Sequence, residues 1–277
     1  MKKVLFAVAA ASLMSTLALA GEHHAAHHAT ADDGKVCEHF VPQTPRDIDN
    51  KAGENTTHFR IADPASKMNL CNIHLHKNAE HKGGDFTIFA GEGHEGYKSG
   101  YQCTQSKHLT KAELAPTAEK ICDSKHSTLK PGDTIEVHWV HSSCDVKPGK
   151  GLGSCSSDAC VNPDLRVETA VFVLVNDPKA LNFADYGYDG NVVDGRPQAK
   201  ALPDLGDPVE FIGSTTGPKY SSHTCSPYQV TWNVRPKCGK MDINTVGKFC
   251  KGNVFKEDHA HGVRKLVTDL KLLSPIK

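Results

Sequence analysis

Polar and apolar positions alternate through two stretches of this chain. In residues 70–76, Ile73 and Leu75 interleave with Asn72, His74 and His76. In residues 134–141, Glu136 and His138 fall on one parity, with apolar residues between them. A period of two marks a strand whose side chains point to opposite faces. Short apolar or alternating runs bounded by Gly, Pro, Asn or Asp predict further strands over residues 58–61, 86–89, 169–175, 209–212, 229–234 and 266–273. Residues 111–122 are the best helical stretch, through Ala112, Leu114, Ala115 and Ala118, but Pro116 restricts it to a short or kinked piece. The pattern predicts a β-rich α+β domain built on a central sheet, its strands joined by long loops.

Composition adds a compartment. Lys2 and Lys3, the apolar run 4–13 and Ala18-Leu19-Ala20 have the form of a secretory signal with a small-x-small cleavage site. Residues 1–20 are therefore expected to be a signal peptide. Residues 21–35 are expected to be a His-rich disordered leader carrying His23, His24, His27 and His28, and residues 36–277 one catalytic domain. The leader reads equally as a weak zinc-capturing arm or as a solvated tail. The Met-Lys-Lys start suits a Gram-negative bacterium, and hence the periplasm or the exterior. All ten cysteines follow residue 36, and an even number in an exported chain reads as disulfides, with the partners left open. The formal charge is zero and there is no basic run, so nucleic acid is not an expected partner. No later apolar stretch reaches membrane-spanning length, so no membrane association is expected after cleavage. Oligomeric state is left open.

The chemistry sits on the two alternating stretches. His74 and His76 share one strand face and His138 comes from a second strand. Three imidazoles with a fourth position open form the donor set of a catalytic zinc site, whereas structural sites are closed by four protein ligands. Asn72 and Glu136 each lie two residues before a ligand histidine on the same face. Each offers an acceptor for that ring's free N–H, which fixes tautomer and orientation. The plain alternative is a set of surface histidines on a strand.

Further motifs follow in order: Glu80-His81, Glu136-x-His138-x-Val140-His141, Gly213-Ser214-Thr215-Thr216-x-Pro218 and Val230-Thr231-Trp232, with Gln43-Thr44-Pro45-Arg46-Asp47-Ile48 ahead of them. Together with His74-x-His76 this set resembles the ordered motifs of alpha-class carbonic anhydrases. The tight spacing from His76 to Glu80 and the many cysteines resemble the delta class more closely. The resemblance spans residues 43–232. It implies a mostly antiparallel, twisted central sheet with disulfide-stapled loops. It also implies a Zn²⁺ held by His74, His76 and His138, and reversible hydration of CO₂ to bicarbonate and a proton by a zinc-bound hydroxide. Thr215 resembles the gatekeeper threonine, and Glu80 the glutamate that accepts the threonine's proton. Thr216 would border bicarbonate, and Val140, Val171, Val230 and Trp232 would form the apolar wall for CO₂, with Val171 reading equally as sheet core.

Two departures stand out. The family's proton-shuttle histidine has no clear match, His58 being the nearest, and His141 reads as a structural residue. Gly217 replaces a proline usual in the alpha class, which puts the loop carrying Thr215 in question. The alternative function is a periplasmic zinc-binding or metal-carrier protein without catalysis, which would not need Glu80 and Thr215. Esterase activity is a side reaction open to the same chemistry.

Overall fold

The computed structural model describes residues 37, 40–57, 59–93, 99–221 and 223–277. The expected signal peptide, the His-rich leader and His58 lie outside the described residues. The strands are β1 (Asn69–Lys77), β2 (Ile88–Phe89), β3 (Tyr101–Gln102), β4 (Thr134–Ser142), β5 (Leu165–Val175), β6 (Val192–Val193), β7 (Arg196–Pro197), β8 (Val209–Ser214) and β9 (Gln229–Asp242). One α-helix, α1 (Ile243–Lys251), follows β9 among the described residues. Five strands form the central sheet in the order β1-β4-β5-β9-β8. All neighbours are antiparallel except β5 and β9, which are parallel. This is the β-rich, mostly antiparallel α+β architecture that the sequence predicts. No helix among the described residues is long and apolar enough to cross a membrane.

One face of the sheet carries the main core. Leu70, Ile73 and Leu75 of β1, Ile135, Val137 and Trp139 of β4, and Ala170, Phe172 and Leu174 of β5 are buried in one cluster. Helix α1 covers it with Ile243 and Val246. Leu70 shares this face with the odd-numbered Ile73 because the β1–β4 register shifts by one residue between Leu70 and Asn72. A β-bulge there turns the strand so that Leu70 stays in the core while Asn72, His74 and His76 keep the opposite face. That opposite face joins a second cluster with Val140, Val167, Val171, Val230 and Trp232.

Several elements differ from expectation. Residues 59–61 form no strand, and Phe59 and Ile61 are exposed. The pair β2–β3 takes only the end of the 86–89 run, and Phe86 makes an isolated bridge with Gly83. Residues 111–122 form no α-helix: the Leu114 N–H reaches Thr110 O in a single turn, and Pro116 then supplies no N–H to continue it. Residues 266–273 form no strand, although Val267, Leu272 and Leu273 are buried. Their backbone instead ties down the N-terminal segment, with Gln43 N–H donating to Leu272 O and Val267 N–H to Pro45 O. Strand β9 runs on past Val234 to Asp242, because Pro236 falls where the β5–β9 register jumps. At such a bulge a missing N–H costs no ladder bond.

All ten cysteines are paired: Cys37–Cys225, Cys71–Cys155, Cys103–Cys238, Cys122–Cys250 and Cys144–Cys160. Four of the five close long loops, which is where a crosslink removes most unfolded-chain entropy. Cys71–Cys155 ties the excursion between β4 and β5 to strand β1, and the short Cys144–Cys160 bridge closes that excursion on itself.

Candidate metal centre

His74 and His138 are direct neighbours across the β1–β4 ladder, and His76 faces Glu136 two positions on. The pleat therefore brings three imidazoles to one spot without any loop. Their ring nitrogens lie within 4.8 Å of one another. Each ring is held from behind. The His74 Nδ1–H donates to Asn72 Oδ1 at 2.8 Å, and the His76 Nδ1–H to Gly262 O at 3.1 Å. The His138 Nε2–H donates to Glu136 Oε1 at 2.9 Å. These bonds leave three lone pairs facing inward: His74 Nε2, His76 Nε2 and His138 Nδ1.

The inward nitrogens lack protein donors. His76 Nε2 is buried with no hydrogen-bond partner. His74 Nε2 and His138 Nδ1 lie 3.1 Å apart with their protons already committed on the far sides of the rings. Facing lone pairs at that distance are unfavourable unless a cation lies between them. Nitrogens bound tetrahedrally to zinc at about 2.0–2.1 Å stand about 3.3 Å apart, so the donor set fits that ion. Burial lowers the pKa of His74 well below 6.5, and the neighbouring imidazoles lower it further; burial also lowers that of His76. The neutral imidazole, the form that binds metal, is thus favoured at both.

Glu136 carries an extended second layer. Burial alone would raise its pKa, but the His81 and His138 imidazoles hold it well below the ordinary carboxylate value. Oε1 accepts from His81 Nδ1 at 2.6 Å, and Oε2 accepts the backbone N–H groups of Glu80 and His81. A carboxylate with so many donors stays ionised and fixes its strand neighbour His138.

The fourth side opens into a cavity of about 230 Å³. Val140, Val230, Trp232, Thr215 and Thr216 line it. Val171 does not. On β5 it faces Glu136, whereas Val167 faces Val140, so Val167 and Leu165 take the wall position and Val171 packs in the core below. Gly217 also lines the cavity, at φ +142°, a backbone conformation that proline cannot adopt. The loop here therefore follows its own path. Gly213 is required just before it: a Cβ there would meet Thr44 Oγ1 at 1.8 Å, and Thr44 Oγ1 accepts the Ser214 N–H.

The expected pairing of Glu80 with Thr215 is not made. Thr215 Oγ1 lies 2.6 Å from Ser226 Oγ. Ser226 is pinned through its backbone to the Gln43 side chain, next to the Cys37–Cys225 disulfide. Glu80 Oε1 instead accepts the Arg264 N–H at 2.9 Å and lies 3.5 Å from His76 Nδ1, while Oε2 is buried without a partner. His141 is buried, with its Nδ1–H donated to Trp139 O, away from the site.

Sequence reasoning named His81 in the Glu80-His81 motif without a role, and passed over Ser226 and His261. The signal for His261 was present in His259-Ala260-His261, the same alternation as His74-x-His76. His261 lines the cavity, its ring 6.3 Å from that of His76. Its Nε2 lies 3.1 Å from Glu257 Oε2, and its ring 4.6 Å from that of His259.

Solved structures similar to this chain include a hyperthermostable carbonic anhydrase from an active hydrothermal vent chimney, at 15% identity over 83% of this chain and 84% of that one, TM-score 0.30. Others are the alpha-carbonic anhydrase of Photobacterium profundum (16%, 83% and 88%, TM-score 0.27) and that of Thermovibrio ammonificans in complex with sulfanilamide (16%, 81% and 84%, TM-score 0.29). No curated protein matches the chain. The Delta carbonic anhydrase family profile matches residues 65–245, a span that runs from just ahead of β1 into α1 and includes all three inward-facing imidazoles, Glu136 and Thr215. The chain belongs to the delta carbonic anhydrase family.

Proposed function

We propose that this protein is a zinc carbonic anhydrase that interconverts CO₂ and water with bicarbonate and a proton. The observation that carries this reading is the inward-facing trio of unprotonated nitrogens, above all the partnerless His76 Nε2. His74 Nε2, His76 Nε2 and His138 Nδ1 would hold the ion. When bound, zinc lowers the pKa of a coordinated water to about 7, behaviour for which carbonic anhydrases are themselves the standard example.

The chain's own residues supply the rest. Val140, Val167, Leu165, Val230 and Trp232 give the cavity an apolar side suited to CO₂, which offers no strong donor and is poorly hydrated. Thr215 presents its hydroxyl at the cavity wall, oriented by Ser226, and Thr216 borders the place of the product oxyanion. Glu80 acts through His76 and the Arg264 backbone rather than through Thr215. The proton leaves past His261. Burial alone would lower the pKa of that ring, but Glu257 raises it above 6.5, and the His259 ring continues the path outward. His58, the shuttle expected from sequence, lies outside the described residues. Export to the periplasm or the exterior is consistent with a fold in which every cysteine is oxidised.

The test is stopped-flow CO₂ hydration on wild type and His138→Ala, with metal content measured on both. The reading expects one zinc per wild-type chain, with zinc and activity lost together in the variant. A zinc-loaded wild type that hydrates CO₂ at the background rate would end it.

A further inference from the structure

The three inward-facing imidazoles are held from behind by chemically different acceptors. His76 has a backbone carbonyl, Gly262 O, and His138 has a carboxylate, Glu136 Oε1. Both groups can only accept, so each dictates which nitrogen of its imidazole carries the proton. His74 has the Asn72 side-chain amide instead. An amide is ambivalent. Turned over, it would present its NH₂ group to Nδ1, and the His74 proton would move to Nε2. That tautomer cannot bind a cation at the inward nitrogen.

What removes the ambiguity lies outside the sheet. Asn72 is buried, and its Nδ2–H donates to Gly149 O at 3.0 Å. That carbonyl only accepts, so it takes the NH₂ group and leaves Oδ1 for His74. Gly149 is itself tied down: its N–H donates to Cys71 O at 3.0 Å. Ser154 Oγ lies 2.8 Å from Cys71 O of β1, and 3.2 Å from Gly149 O and 2.7 Å from Gly151 O of its own turn, so one hydroxyl proton is shared among three carbonyls. The next residue, Cys155, is disulfide-bonded to Cys71, the neighbour of Asn72. The Cys155 carbonyl also accepts from Ser142 Oγ on β4 at 2.6 Å.

We propose that this disulfide-anchored turn selects the tautomer of His74, with Gly149 and Ser154 as positioning residues that act through Asn72. The proposal rests on the reading of His74 as a metal ligand. It assigns the excursion between β4 and β5 a role that a plain surface loop lacks.

The test uses the full-length, oxidised protein. Long-range ¹⁵N–¹H NMR on the metal-free form reports the tautomer of each imidazole, and competition with a chelator gives the zinc affinity. Wild type is expected to hold His74 wholly as the Nδ1–H form. In Ser154→Ala the His74 signals should become a mixture of tautomers and zinc affinity should fall about tenfold, the low end for partners behind a ligand. His76 and His138 should keep their tautomers, and Ser154→Thr should restore both readouts. Should Ser154→Ala fail to fold, the Asn72 pair decides. Asn72→Asp, which can only accept, should keep the Nδ1–H form, and Asn72→Leu should lose it. An unchanged His74 tautomer with unchanged zinc affinity in Ser154→Ala and Asn72→Leu overturns the proposal. If His74→Ala loses zinc in that same case, the metal reading survives alone. If wild type binds no zinc while the tautomer responds to Ser154→Ala, the metal reading falls and the tautomer selection stands.

Discussion

Strand β4 meets two opposite environments within six residues. Ile135, Val137 and Trp139 enter a closed apolar core, while Glu136, His138 and Val140 face the cavity side. The first face is stabilised by area removed from water and by close packing, which make few directional demands beyond volume. The second is held by oriented hydrogen bonds that its imidazoles donate to Asn72, Gly262 and Glu136, and still leaves His76 Nε2 without a partner. A fold that buries an unsatisfied nitrogen on the other face of the sheet from its main core gives up stability for a binding site. The two faces should therefore respond to substitution in opposite ways.

The largest contrast sets Trp139→Ala against His76→Leu. Trp139 is fully buried, and its indole N–H donates to Tyr186 O at 2.8 Å. Its truncation should cost about 3–5 kcal/mol of stability by chemical denaturation. His76→Leu removes a partnerless Nε2 but also the Nδ1–H bond to Gly262 O, so the metal-free protein should lose much less stability than Trp139→Ala does, while zinc binding collapses. A metal-free His76→Leu protein destabilised as much as Trp139→Ala would erase the distinction between the faces.

That distinction was legible in the sequence because strand alternation writes it directly. Ile73 and Leu75 against His74 and His76 assigned both faces of β1 and placed the three ligand candidates together. What the sequence concealed depends on contacts between distant segments. Strand β9 looked finished at Val234, since the bulge that accommodates Pro236 exists only against β5. Helix α1, with Asn244, Thr245 and Gly247, has weak intrinsic propensity; it is held by its Asp242 cap and by Cys122–Cys250. Residues 266–273 carry strand-like apolar residues but bury them beside the N-terminal segment without a ladder. The partner of Thr215 is Ser226, whose position depends on Gln43. The expected wall at Val171 is displaced to Val167 by the β4–β5 register.

A pH titration of stability sharpens the contrast at the next scale. Burial lowers the pKa of His141, on the core side of β4, to about 4 from 6.5. Between those values the unfolded chain binds the extra proton, so stability rises with pH across that window and is lost as pH falls through it. The full effect is up to about 3 kcal/mol. Metal-free His74 and His76 act with the same sign. Replacing His141 by Phe should flatten the part of the acid limb that does not respond to zinc, and an unchanged limb would contradict the assignment.

Glu136→Gln tests the site face alone. It keeps the size of the side chain but removes its charge and leaves one acceptor oxygen where Oε1 served the His81 and His138 rings and Oε2 the Glu80 and His81 backbone N–H groups. Zinc affinity should fall about 10–100-fold, with much less change in the stability of the core. At the small end, Arg60→Ala removes an exposed ion pair with Asp164 and should leave the denaturation midpoint and the zinc affinity unchanged within error.

The most direct test is a crystal structure of the zinc-loaded protein with anomalous data collected on both sides of the zinc edge. The account predicts one strong peak about 2.0–2.1 Å from His74 Nε2, His76 Nε2 and His138 Nδ1, with its remaining position turned to the cavity and free of protein atoms. A peak elsewhere, or a fourth protein ligand closing the coordination sphere, would contradict it.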